Sequence, residues 1–140
     1  MDIRFATDDE ITKWNELILK NPDGGNVFQG YELAVQKQLS GWLPRYIIAD
    51  KVAMTALEKP VLGHGKLWYV PKGPGVTSPV QLGDMLSDLK KFANDNGVFA
   101  VKVEPEIEKT DDALAVFKEL GLVKVTPIQP NASTVLMPDC

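Results

Sequence analysis

The residues best placed to do chemistry lie in Leu67-Trp68-Tyr69-Val70-Pro71-Lys72-Gly73-Pro74-Gly75-Val76. An aromatic, β-branched run leads into a rigid Pro/Gly loop that carries one lysine. A helix start signal, Ser78-Pro79, comes two residues later. A strand that turns into a helix N-terminus brings free N–H groups and a positive dipole end to the edge of a sheet, where anions bind. Lys72 and Gly73-Pro74-Gly75 are therefore expected either to cradle an anion or to serve as a rigid connector. The loop is not a nucleotide P-loop, because G-x-x-x-x-G-K-[ST] is absent. Pro74 also removes one N–H donor.

Other reactive residue types are sparse. The only histidine, His64, sits between two glycines and has no second histidine or cysteine for a metal site or triad. The only cysteine is Cys140, which excludes an intramolecular disulfide and a cysteine metal cluster and fits a reducing, cytoplasmic setting. Net charge is −4, against a dedicated nucleic-acid binder. Trp14, Trp42 and Trp68 lack the basic stripe of a stacking platform and read as core or near-core. Met1-Asp2-Ile3-Arg4 opens no secretion signal, and no run approaches a membrane span.

The elements that position the loop are set by periodicity. A chain of 140 residues is one domain in length. Ile3 and Phe5 suggest a first strand. Thr7 to Glu10 reads as a capping box, opening one helix over about Asp8 to Lys20 with Ile11, Trp14, Leu17 and Ile18 on its apolar face. Val27-Phe28-Gln29 reads as extended or loop, and Tyr31 to Leu39 as helix. Strands are expected at Tyr46–Ala49, Ala53–Leu57 and Lys66–Val70, in an antiparallel meander. Ser78 and Gln81 form a second capping box, before a helix with Leu82, Met85, Leu86, Leu89, Phe92 and Ala93 inward, closed by Asn96-Gly97. Phe99, Val101 and Val103 then share one face of a strand. Thr110 caps a last helix that ends at Gly121, with strands after it at Leu122–Val125 and Ser133–Leu136. The order predicts an α/β (α+β) fold, a mixed and mostly antiparallel sheet flanked by helices, like that of the GNAT acyltransferases.

Four segments in this order resemble the FemX/FemA/FemB family of peptidoglycan-bridge aminoacyltransferases. They are Asn26-Val27-Phe28-Gln29-Gly30-Tyr31-Glu32 with Gly41-Trp42, Tyr69-Val70-Pro71-Lys72-Gly73-Pro74, Val101-Lys102-Val103-Glu104-Pro105-Glu106, and Ile128-Gln129-Pro130 with Thr134-Val135-Leu136. Family members have a catalytic body of two GNAT-like halves. The match covers the first half alone, so the resemblance implies a single GNAT-like domain over 1–140 as part of a longer protein.

The resemblance implies transfer of an amino acid from aminoacyl-tRNA to the stem-peptide amine of UDP-MurNAc-pentapeptide or its lipid-linked form, at the cytoplasmic face. No cofactor or metal is implied, since the activated ester arrives on the tRNA. Glu104 stands where the family's candidate general base lies, to take a proton from the attacking amine. Lys37 would contact the precursor's diphosphate as a point charge. Lys72, Gly73, Phe99 and Lys102 would line the substrate site, with Phe99 where some members carry tyrosine. The missing second half, or a second copy of this chain, would complete the site. Two other readings stay open: a CoA-dependent N-acetyltransferase, whose pyrophosphate loop would be Lys72–Gly75, and a non-catalytic interaction domain.

Overall fold

The N-terminal turn shows how local chemistry sets the first helix. Thr7 takes the Glu10 N–H on its hydroxyl at 3.3 Å, and Glu10 accepts the Thr7 N–H at 2.9 Å. This is the expected capping box, and Arg4 closes it with a two-pronged contact to Glu10 at 2.6 and 2.9 Å. The single helix expected over Asp8 to Lys20 is split in two. Helix α1 spans Asp8–Thr12 and α2 spans Trp14–Leu19, broken at Lys13 with φ −114° and ψ 33°. The break turns Trp14 and Ile18 into the core, while α1 buries nothing. The indole of Trp14 then reaches the Thr55 hydroxyl at 2.8 Å.

A computed structural model describes residues 2–77, 79–104, 123–125 and 134–138. Strand β1 is Ile3–Phe5, β2 Leu43–Ala49, β3 Val52–Val61, β4 Gly65–Val70, β5 Val98–Val103, β6 Val123–Val125 and β7 Thr134–Pro138. They form one sheet in the order β1-β2-β3-β4-β5-β7-β6. Among the described residues only β4 and β5 pair in parallel. The 17-residue helix α4, Pro79–Asp95, makes the crossover that a parallel pair requires. Helix α3 is Tyr31–Leu39, and Val27–Gln29 is a short 3-10 turn rather than extended chain. Ser78 and the expected Thr110–Gly121 helix lie outside the described residues. Gln81 still acts at the start of α4, accepting the Thr77 N–H at 2.9 Å.

The two faces are read from adjacent residues. On β2, Ile47 packs toward Met85 and Leu89 of α4, whereas Ile48 packs with Trp14 and Ile18. On β3, Met54 and Ala53 divide in the same way. Helix α4 thus covers one face, and α2 with α3 the other. The α4 side is filled by Phe5, Trp68 and Phe92, with ring centroids 4.9 to 6.3 Å apart. The expected Phe99/Val101/Val103 face is interrupted. Lys66 pairs with Val98 but Leu67 with Ala100, so Phe99 is an extra residue in a bulge. Val101 and Val103 stay in the core, and Phe99 instead meets His64 at 5.5 Å between ring centroids.

The Arg4 contact, and after it the Thr7 N–H, holds the Glu10 carboxyl down at about 2, below its ordinary range near 4.3. A depressed carboxylate stabilises the fold above its unfolded pKa and loses that contribution as pH falls through the folded value. Solvent exposure keeps the effect small. Glu10→Gln should flatten the acid limb of a thermal-stability profile between about pH 5 and 2. An unchanged limb would count against the pairing.

Candidate functional site

Strand β3 is longer than the strand beside it. Pairing of β3 with β4 begins at Leu57 opposite Tyr69, so Ala53 and Thr55 have no strand neighbour on that side. Two side-chain amides take its place. Asn21 donates to the Ala53 carbonyl at 2.8 Å and accepts the Ala53 N–H at 2.9 Å. Gln29 accepts the Thr55 N–H at 2.8 Å and donates to the Thr55 carbonyl at 3.2 Å. Each carboxamide imitates a peptide group, and the two are spaced to match alternate residues of one strand. Gln29 also donates to the Pro71 carbonyl at 2.7 Å, fastening the loop after β4.

This fastening explains the Gly-Pro-Gly run. A Cβ on Gly73 would lie 2.8 Å from Cδ of Gln29, and one on Gly75 would lie 2.7 Å from Nδ2 of Asn21. The glycines make room for the two amides. The loop's own N–H groups are largely used inside the fold. That of Gly73 donates to Val70, that of Val76 to Pro74, and that of Thr77 to Gln81. Residues 73–76 are buried. Of the two expectations for this segment, the rigid connector is what its backbone provides.

Beyond the loop, the C-terminal ends of β4 and β5 bring titratable groups together. Tyr69 and Lys102 are register partners and share a face, and Glu104 lies two residues past Lys102 on that face. Glu104 is 1% exposed. Its carboxylate accepts a hydrogen bond from the Tyr69 hydroxyl and the Lys72 N–H at 3.4 Å. Its own N–H donates to the Gly73 carbonyl at 2.9 Å. Lys72 reaches this position through a left-handed backbone, φ 52°. Such a conformation costs a non-glycine residue about 1–2 kcal/mol.

The structure therefore gathers Lys72, Gly73, Lys102 and Glu104 at one point. Phe99 is not among them. It lies five residues back along β5, roughly 16 Å away. Lys37 stands on the last turn of α3, and its carbonyl accepts the Trp42 N–H at 3.2 Å. The Trp42 ring lies 6.0 Å from that of Tyr69, so Lys37 is linked to this face through the backbone of Trp42 alone, and no contact joins its side chain to the group around Glu104 among the described residues. Lys59 adds a cation 4.6 Å above Trp42.

Sequence reasoning missed Tyr69, Gln29 and Asn21 as working parts. Tyr69 lay within the expected Lys66–Val70 strand with no role assigned to it, and a buried carboxamide has no periodic signature. Among the described residues, no cluster of three or more His, Cys, Asp or Glu could hold a metal ion. No described helix is long and apolar enough to cross a membrane.

No family model matches the chain, and no curated protein does. Solved structures share its fold. An acetyltransferase of the GNAT family from Listeria monocytogenes superposes with a TM-score of 0.53 at 11% identity, over 98% of this chain and 94% of that one. An N-acetyltransferase from Staphylococcus aureus gives 0.51 at 11% identity, over 98% and 96%. The NatC complex bound to Gag peptide and CoA gives 0.51 at 14% identity, over 99% of each chain. The chain has the GNAT fold, as its element order predicts.

The carboxamide pairing has a measurable cost when broken. Asn21→Ala leaves the buried N–H and C=O of Ala53 without partners and should lose about 2–4 kcal/mol in denaturant unfolding. Gly75→Ala overpacks the same spot and should lose about 1–3 kcal/mol. The double variant should lose somewhat less than the sum, because removing the Asn21 amide relieves one of the three close contacts of the new methyl, while those to the Cβ of residue 21 and to Asp23 Oδ1, each at 2.9 Å, remain. Strict additivity would show that the two residues do not share that space.

Proposed function

We propose that this chain supplies the precursor-binding half of an aminoacyl-tRNA-dependent transferase, which adds an amino acid to the stem-peptide amine of a peptidoglycan precursor. The observation that carries this reading is the placement of Glu104 beside Tyr69, Lys72 and Lys102 at the end of the parallel pair. An attacking ammonium must first lose a proton. A carboxylate within hydrogen-bond reach accepts it, and the neutral amine then attacks the ester carbonyl. The ester's ribose oxygen leaves with a proton. Glu104 is buried, so the amine reaches it only when part of its cover moves aside.

The four segments that resemble the Fem family support the same reading. Lys37, Lys72 and Lys102 suit a precursor that carries phosphates and carboxylates. On this reading a second GNAT-like half, or a second copy of the chain, completes the site, and the lipid-linked precursor would place the work at the inner membrane face.

The fold's acetyltransferases raise a second reading, transfer from acetyl-CoA. It is favoured by the position of α4, whose N-terminus stands directly behind the loop at residues 71–77. The loop offers that cofactor few donors, since the N–H groups of Gly73, Val76 and Thr77 are already engaged and Pro74 has none.

Amide NMR of the full chain distinguishes the two. Titration with UDP-MurNAc-pentapeptide should shift Lys37, Lys72–Gly75 and Lys102–Glu104, while acetyl-CoA leaves them in place. Shifts at Lys72–Val80 with acetyl-CoA alone would reverse the conclusion. With a complementing second half present, Glu104→Gln should lower turnover by roughly 10²–10⁴ while precursor affinity stays within a few-fold. Full activity in that variant would remove Glu104 as the base.

A further inference from the structure

Tyr69 is a buried hydroxyl to which the chemistry above gives no task. It is 1% exposed and stands on β4, with Leu57 of β3 and Lys102 of β5 as its register partners. Its hydroxyl donates to the carboxylate of Glu104, which lies just past the end of β5. Any buried tyrosine needs an acceptor, and a neutral backbone carbonyl would serve. Here the acceptor is a carboxylate as deeply buried as the tyrosine. Such a group is costly to keep charged unless donors face it.

Two donors meet on one atom. The Tyr69 hydroxyl and the Lys72 N–H both reach Oε1 of Glu104. The tyrosine ring is itself held in place. It meets Trp42 at 6.0 Å between ring centroids, and the Lys59 ammonium lies 4.6 Å from the centre of the Trp42 ring. A hydrogen bond given to the ionised form of a carboxyl favours that form. A general base for an ammonium must be ionised when the ammonium arrives.

We infer that Tyr69 is the positioning residue for Glu104, its hydroxyl keeping the carboxylate ionised in its buried seat for the precursor's ammonium. The inference rests on the aminoacyltransferase reading above and adds a residue to it. Tyr69 acts through Glu104 and exchanges no proton with either substrate. The charged and titratable groups around Glu104, among the described residues, are Tyr69 on β4, Lys72 in the loop after it and Lys102 on β5. An ordinary lysine stays charged throughout the acid range, so a change there on loss of the hydroxyl reports on Tyr69.

The test sets binding against the pH dependence of transfer. Tyr69→Phe keeps the ring and its packing on Trp42 and deletes only the hydroxyl. Affinity of the full chain for UDP-MurNAc-pentapeptide, measured by calorimetry, should stay within about threefold of the parent. Turnover is followed across pH with a complementing second half present. Its acid limb should move about one to two pH units higher, with turnover at high pH recovering to within a few-fold of the parent. The sign follows from the lost donor, since without it the carboxylate forms only at higher pH. Tyr69→3-fluorotyrosine keeps the shape and makes a stronger donor, and should move the limb to lower pH. An acid limb that stays in place in both variants overturns the proposal. So does a loss of turnover equal at every pH, which would make Tyr69 a residue of the fold. If the parent chain binds no precursor and transfers nothing with the second half present, the aminoacyltransferase reading falls and takes this assignment with it. That result is distinct from an active parent whose acid limb ignores Tyr69.

Discussion

Everything at the candidate site hangs on the way β3 is completed where β4 leaves it. A strand edge inside a protein must pair its N–H and C=O groups or lose the free energy of solvating them. Here the partners are Asn21 and Gln29, delivered by the connection between α2 and α3. With the edge satisfied by side chains, the main chain after Val70 is free to leave the sheet. It passes over the two amides at Gly73 and Gly75 and enters α4. The same Gln29 that closes the edge grips Pro71, so the site's loop is fixed by the element that fills the gap beneath it.

Much of the fold was legible because it rests on local periodicity. The Thr7/Glu10 box, the α4 stripe and the meander are signals carried within a dozen residues. The errors have tertiary causes. The helix from Asp8 breaks at Lys13, which lets Trp14 turn in to reach Thr55. Strand alternation failed at Phe99 because a bulge inserts one residue, and a bulge is a property of the pair of strands. Strands β2 and β3 extend past the expected bounds, carrying Pro44 and Pro60 within them, because pairing across the sheet outweighs local propensity.

The site divides along the same line. Glu104 and Lys72 came from segments that resemble a family, and the fold does bring them together. What the residues between them do was hidden. The Gly-Pro-Gly run has the composition of a ligand cradle, since loops that approach phosphates and loops that approach side chains need the same missing Cβ. Only the two amides lodged against it tell these cases apart. Tyr69 was hidden differently, because a buried aromatic in a strand ordinarily reads as packing, and its hydroxyl gains meaning only when Glu104 arrives from β5.

Asn21 and Gln29 are both pinned to one strand, on residues two apart, roughly 7 Å along β3. The stretch from 22 to 28 therefore acts as a ruler. Surface connections in most proteins accept insertions freely, since each added residue costs little closure entropy. This one has two fixed marks, and its Gly24 and Gly25 are both folded back at positive φ to meet them. One residue more or fewer would put one carboxamide out of step with β3. The length of this short turn is thus as much a part of the site as any side chain near Glu104.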